Sequence, residues 1–65
     1  MFKVFVRYNT KDYPEFTLAT GATAEEAKAN FYNKLGYMGN FRKCSVILYD
    51  EKNLYETILM NYWNY

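Results

Sequence analysis

Apolar and polar residues alternate at the beginning of the chain, over residues 2–8. This period of two predicts a β-strand, because successive side chains of a strand point to opposite faces of its sheet. The even positions are apolar, whereas the odd positions carry Lys3, Phe5 and Arg7. The strand is therefore predicted to have two different faces, each with at least one large apolar residue.

A turn and a second, shorter strand are predicted next. Residues 9–14 include Asn, Asp and proline, which favour turns because they accept or fix unusual backbone angles. The second strand is predicted over residues 15–19, where Phe16 and Leu18 share a face. Pro14 has no N–H to donate to a strand ladder, which favours an edge position for this strand.

The clearest helix signal lies in residues 20–36. Thr23 is followed three positions later by Glu26, which is the spacing of a capping box at a helix N-terminus. Gly36 is placed to end the helix in a left-handed conformation. Apolar residues four positions apart predict one buried stripe along the helix. The stripe consists of Ala27, Phe31 and Leu35, with Ala24 before them.

Two further strands are predicted over residues 41–49 and 54–63, on either side of a turn. If residues 50–53 form a four-residue loop, Tyr49 lies opposite Leu54, which sets the register of the hairpin. The other pairs on the Tyr49 side are then Ile47–Glu56, Ser45–Ile58 and Lys43–Met60. The pairs on the opposite side are Leu48–Tyr55, Val46–Thr57 and Cys44–Leu59.

The predicted element order is ββαββ, in a single α+β domain spanning residues 1–65. One four-stranded, mainly antiparallel sheet with the helix packed on one face buries the apolar side of each element. The first strand is predicted to be central. The pattern leaves open whether the third or the fourth strand lies beside it.

The two sides of this sheet are predicted to receive different residues. The helix-covered side receives Val4, Val6, Phe16, Leu18, Val46, Leu48 and Leu59, with Trp63 at its end. The opposite side exposes Phe5, Ile47, Tyr49, Leu54, Ile58, Met60 and Tyr62, with Lys3, Arg7, Lys43 and Glu56 around them. Contiguous exposed apolar surface of this kind marks interaction sites. The predicted partner-binding residues are Phe5, Ile47, Tyr49, Ile58, Met60 and Tyr62.

A simpler interpretation of the same residues also stands. Every protein surface carries some apolar side chains, and tyrosine is a good strand former whatever its function. Residues 37–41 or the C-terminal tail could also fold over part of the apolar side. An interaction face remains the favoured interpretation, because several large apolar residues fall on adjacent strand positions.

The composition limits which interactions can stabilise the fold, and it indicates the cellular compartment in which the protein is expected. The 65 residues carry a net charge of +1, one Cys and no His, which excludes an internal disulfide and the usual zinc sites. A core of this size supplies about 3–5 kcal/mol of net stability, so good packing or a partner subunit is required.

No stretch approaches the ~20 apolar residues of a membrane span, and a lone Cys fits a reducing compartment. We therefore expect a cytoplasmic protein without a membrane partner.

Catalytic chemistry finds little support in the sequence. No His is present to act as a base near neutral pH. Cys44 falls on the helix-covered side, where a small buried hydrophobe is the ordinary interpretation. Asp50 and Glu51 lie in a charged turn, where solvated carboxylates are common. We expect neither catalysis nor a cofactor.

Two binding functions remain, and they differ in the partner. Nucleic-acid binding is the alternative, because Lys3, Phe5, Arg7 and Lys43 could hold phosphates and stack bases on a sheet. Aliphatic residues such as Ile58 fit a protein partner better. The favoured prediction is a non-enzymatic protein-binding domain or inhibitor, with a homodimer as one of its forms.

Many Lys, Asn and Tyr residues imply AT-rich codons. This codon usage favours a phage or mobile-element origin and a host defence protein as the target.

Overall fold

The structure is a computed structural model and describes residues 1–10, 13–35 and 43–62. Its elements are β1 (Phe2–Tyr8), β2 (Phe16–Gly21), α1 (Ala24–Leu35), β3 (Cys44–Asp50) and β4 (Tyr55–Asn61). The strands form one antiparallel sheet in the order β2-β1-β3-β4. The predicted ββαββ fold and the central position of the first strand are confirmed. The structure also shows that β3 is the other neighbour of β1.

The helix begins where the sequence predicts it. The backbone N–H of Glu26 donates to Thr23 Oγ1 at 3.1 Å, and the N–H of Ala27 donates to the Thr23 carbonyl at 3.0 Å. Thr23 therefore occupies the N-cap position and satisfies donors that the first helical turn leaves unpaired. The predicted helix end at Gly36 lies outside the described residues.

The core lies between α1 and one side of the sheet. Phe31, on the predicted helix stripe, is fully buried. Cys44 is also fully buried, which confirms the prediction for its environment. The core cluster consists of Val4, Val6, Leu18, Ala19, Ala27, Phe31, Cys44, Val46 and Leu48.

Phe16 was predicted to join this core but is 61% exposed. It pairs with Val6, so it lies on the helix side of β2. Phe16 is the first residue of the edge strand β2, and its side chain remains largely exposed in the structure.

The helix is displaced toward the β2 side of the sheet. A Cβ atom on Gly21 would lie 2.5 Å from the backbone nitrogen of Ala27, so the close approach of α1 to β2 requires glycine at this position. Within the described residues, α1 contacts β2, β1 and β3 but not β4. No described helix has the length and apolar character needed to cross a bilayer.

A β-bulge in β2 brings two consecutive residues into the core. Val4 pairs with Ala19, whereas Phe5 pairs with Thr17, so Leu18 is the extra residue of the bulge. Leu18 and Ala19 are both buried in the core cluster as a result. Simple alternation predicted only Leu18 on this side.

The β3–β4 hairpin has a register two residues away from the predicted one. Tyr49 pairs with Glu56 rather than Leu54, and Ile47 pairs with Ile58. The predicted pairs of the hairpin are therefore wrong. A shift of two residues preserves the face of each side chain, so Ile58 still lies on the same side as Ile47.

Asp50 explains the shifted register. Its Oδ1 accepts hydrogen bonds from the backbone N–H of Lys52 at 3.0 Å and of Asn53 at 3.3 Å. Its Oδ2 accepts one from Asn53 Nδ2 at 2.7 Å. Asp50 thus ends β3 and pairs with Tyr55, and Leu54 closes the turn with a φ of 55°. The loop residues are 51–54 instead of 50–53.

A second bulge, in β4, changes the side of the sheet to which the last side chains of this strand point. Val46 pairs with Met60, whereas Ile47 pairs with Ile58, so Leu59 is the extra residue. Met60 and Tyr62 consequently pack against the core cluster. The prediction that these two residues belong to the exposed side is wrong. Trp63 lies outside the described residues.

Candidate interaction face

The side of the sheet away from α1 is called the sheet face here. The partnered positions of β1, β3 and β4 place nine residues on it. They are Lys3, Phe5, Arg7, Ser45, Ile47, Tyr49, Glu56, Ile58 and Asn61. Four of the six predicted partner-binding residues are therefore brought together, namely Phe5, Ile47, Tyr49 and Ile58.

The centre of the sheet face is covered by the chain's own side chains. Phe5 and Ile47 are each only 3% exposed. Lys3 Nζ lies 5.4 Å from the ring centroid of Phe5, and Arg7 Cζ lies 5.3 Å from it. The Tyr49 ring meets Phe5 edge-on, with centroids 6.4 Å apart. These cation–π and aromatic contacts bury Phe5. The predicted exposure of Phe5 and of Ile47 on this side is therefore wrong.

Arg7 is held over the sheet face by two carboxylates. Its Nη1 and Nη2 donate to Glu56 Oε1 and Oε2 at 3.0 and 2.7 Å, and its Nε donates to Glu15 Oε2. The hydrogen bonds to Glu56 and Glu15 raise the pKa of Arg7 above its ordinary value. The same bonds from Arg7 hold the pKa of Glu56 below its ordinary value. The positive charge of the Arg7 guanidinium is thus compensated by carboxylates of the same chain.

The residues of the nucleic-acid alternative do not form one exposed basic surface. Arg7 is paired with Glu15 and Glu56. Phe5 is buried and cannot stack on a base. Lys43 has a φ of 53° and precedes β3, so it does not follow the alternation of that strand. This arrangement does not favour phosphate binding.

Exposed apolar surface is concentrated along β4 and the turn before it. Leu54 is 74% exposed, Tyr55 67% and Ile58 60%. These three residues are called the β4 patch. Among the described residues, they account for three of the seven large hydrophobic side chains that are exposed, within five consecutive positions. The surface most available to a partner therefore lies at one edge of the sheet.

Sequence reasoning placed Ile58 and Leu54 in the exposed patch but missed Tyr55, which it assigned to the helix-covered side. Tyr55 does lie on that side, opposite Asp50. A helix is about 10 Å wide and neighbouring strands are about 4.8 Å apart, so one helix covers two or three strands. That simple ratio could have indicated that an edge strand of a four-stranded sheet stays uncovered.

A depression of about 410 Å³ lies at the end of β1, where Arg7 is already paired with Glu15. Its described lining is Arg7, Tyr8, Asn9, Thr10, Tyr13, Pro14 and Glu15. Across residues 1–10, 13–35 and 43–62, no group of three or more His, Cys, Asp or Glu residues could hold a metal ion.

Comparisons with known proteins identify no relative of this chain. No family model matches it, and neither a curated protein nor a solved structure does. The function therefore has to be argued from the geometry and chemistry of the sheet, and in particular from the exposed apolar surface at β4.

Proposed function

We propose that this chain is a non-enzymatic protein-binding domain, which docks its partner on the β4 patch and the adjoining part of the sheet face. The observation that carries the proposal is the concentrated exposure of Leu54, Tyr55 and Ile58. Exposed apolar surface that is concentrated at one edge of a small domain is typical of an interaction site.

The surroundings of the β4 patch have the composition of a protein interface. Apolar and aromatic residues form the centre, and Tyr49, half-buried beside Glu56, extends it onto the sheet face. Arg7 and Glu56 form a polar rim whose charges compensate each other. Removing the exposed apolar surface from water would contribute about 25 cal/mol per Å² buried.

Affinity capture with matched variants tests this proposal. The bait proteins are the original chain, Ile58→Lys in the β4 patch, and Thr17→Lys on the exposed β2 edge of the same face. Captures use a nuclease-treated lysate of cells that encode the chain, and circular dichroism verifies that each bait is folded. We expect a protein that is retained by the original and by Thr17→Lys but lost with Ile58→Lys.

Two results would contradict the proposal. One is a partner that binds Ile58→Lys as well as it binds the original chain, because the β4 patch would then not be the docking site. The other is capture that disappears after nuclease treatment, which would favour the nucleic-acid alternative instead.

A further inference from the structure

We propose that the free edge of β4 binds the same edge of a second copy of this chain, so that two sheets join into one. The proposal extends the proposed function, on which its functional meaning rests, because antiparallel β4–β4 pairing would bring two β4 patches together in one continuous surface. The partner is thus another molecule of this chain, and the contact is backbone hydrogen bonding along β4.

The two edge strands of the sheet differ in whether helix side chains bind their backbone carbonyls. On β2, the Thr20 carbonyl accepts a hydrogen bond from Asn30 Nδ2 at 2.9 Å, and the Leu18 carbonyl accepts one from Lys34 Nζ at 3.1 Å. Helix side chains therefore occupy acceptors that an edge strand leaves unpaired. This edge is closed to another strand at two positions.

The described residues provide no such closure for the β4 edge between Tyr55 and Leu59. Among the described strands, β4 pairs with β3 alone. Within the described part of the chain, no side chain or turn donates to the backbone of residues 55–59. An antiparallel edge strand points alternate N–H and C=O groups away from its neighbour, and these groups are ready to pair with another strand.

The sequence of β4 also lacks the lysine and proline that commonly keep edge strands apart, and its bulge lies at Leu59, at the end of the proposed paired segment. The strand Tyr55–Asn61 contains no Lys, Pro or Gly. Its single charge, on Glu56, is already held by Arg7. Such a segment has high β-propensity and low effective charge, which favours pairing with an identical strand.

The turn and the bulge together define the register of this pairing. Regular strand geometry begins at Tyr55, after the positive φ of Leu54, and is interrupted at Leu59 by the bulge. When the bulge residue Leu59 is counted, the segment has five residues, 55–59, and its midpoint is Thr57. A two-fold antiparallel pair centred there places Thr57 opposite the second copy's Thr57 and Tyr55 opposite the second copy's Leu59.

This register is self-complementary. On the helix side of the strand, it joins Thr57 with its symmetry mate between two Tyr55–Leu59 pairs, and pairs of these kinds stabilise antiparallel sheets. On the sheet face, Glu56 lies opposite the second copy's Ile58, so no like charges face each other directly. These matches favour a second copy over an unrelated strand, which would have to meet the same requirements by chance.

A pair of threonine-to-cysteine variants tests the register. Thr57→Cys would lie opposite itself in the dimer, whereas Thr20→Cys lies on the closed β2 edge. Cys44 is fully buried and does not compete for the oxidant. After mild oxidation at high protein concentration, we expect a disulfide-linked dimer from Thr57→Cys and a monomer from Thr20→Cys. Equal cross-linking of both variants, or of neither, would overturn the proposed register.

Two variants of Ile58 that carry opposite charges distinguish this inference from the proposed function. In the dimer, Ile58→Lys faces the second copy's Glu56 and should preserve association, whereas Ile58→Glu places two like-charge pairs at the interface. We expect sedimentation equilibrium to show a dimer for the original and for Ile58→Lys, and a dissociation constant about tenfold higher for Ile58→Glu. A monomeric original chain would overturn the dimer even if Ile58→Lys still abolished capture of a protein partner. A dimer that captures no other protein would instead overturn the proposed function alone.

Discussion

The two edge strands of the sheet, β2 and β4, have opposite surroundings. The helix packs closely on β2, where Gly21 permits its approach, and helix side chains bind the carbonyls of Leu18 and Thr20. In the described residues, the helix backbone lies close to β2, β1 and β3 but not to β4. The β4 strand and its turn instead expose Leu54 and Ile58.

This difference indicates which part of the molecule stabilises the fold and which part is available for binding. One helix cannot cover four strands, so the fold concentrates its packing on the β2 side and leaves β4 available. The sheet face is protected in another way, because Arg7 and Lys3 cover Phe5 without any helix. Substitutions near β2 should therefore alter folding, whereas substitutions on β4 should alter association.

The largest expected effect comes from comparing Phe31→Ala with Ile58→Ala. Phe31 is fully buried, and its truncation should cost about 3–5 kcal/mol, which is similar to the whole stability of a domain this small. Ile58 is 60% exposed, so its truncation should change the free energy of unfolding by less than about 1 kcal/mol. Urea unfolding followed by circular dichroism measures both. Equal losses would show that β4 is as important to the core as the helix.

Gly21→Ala tests the closure of the β2 edge. The added Cβ would lie 2.5 Å from the nitrogen of Ala27 and 2.9 Å from the carbonyl carbon of Glu26, and these backbone atoms cannot move independently. We expect a loss of about 1–3 kcal/mol, as for other overpacked sites. Thr20→Ala, on the exposed surface of the same strand, is the control. A gain in stability for Gly21→Ala would mean that the helix does not approach β2 this closely.

Thr23→Ala tests how the helix is held above β2. Loss of the hydrogen bond from the Glu26 N–H should cost about 1 kcal/mol. Thr23→Ser keeps the hydroxyl and should recover most of that loss. The urea midpoints of the three proteins provide the comparison, and identical midpoints for Ala and Thr at this position would contradict the capping role.

The smallest effect is expected for the ion pair that links β1 to β4. Because Arg7 lowers the pKa of Glu56, the pair stabilises the fold above the carboxyl's unfolded pKa and loses this contribution as pH falls through the lower folded value. Both side chains are about 40% exposed, so the effect should stay below about 1 kcal/mol. The urea midpoint should fall between pH about 6 and about 3, and Glu56→Gln should reduce that fall. Glu51→Gln, in the exposed turn, should leave it unchanged.

The sequence predicts those parts of the fold that local patterns determine. The Thr23–Glu26 spacing locates the helix start, and the alternation in residues 2–8, which only Phe5 interrupts, identifies the central strand with its two faces. Because side-chain direction has a period of two, Ile58 was placed on the correct side even though its predicted partner was wrong.

The two bulges account for the misplacement of Met60 and Tyr62 and for the unpredicted burial of Ala19. Alternation assigns Met60 to the sheet face, but the bulge at Leu59 turns it toward the core. A signal was present, because each bulge lies within a run of consecutive apolar residues, Leu18–Ala19 in β2 and Ile58–Met60 in β4. The burial of Phe5 could not be predicted, since it depends on Lys3 and Arg7 crossing over its ring.

The central pairing of β1 with β3 has a consequence for how the chain folds. Each hairpin, β1–β2 and β3–β4, joins strands that are neighbours in sequence, whereas β1 and β3 are separated by β2 and α1. The Arg7–Glu56 contact spans 49 positions and can form only when both hairpins share one sheet. Closing so long a loop is entropically costly before its contacts form, so docking of the hairpins should limit the folding rate. Substitutions between β1 and β3 should then slow folding, whereas those at the exposed surface of β4 should leave its rate unchanged.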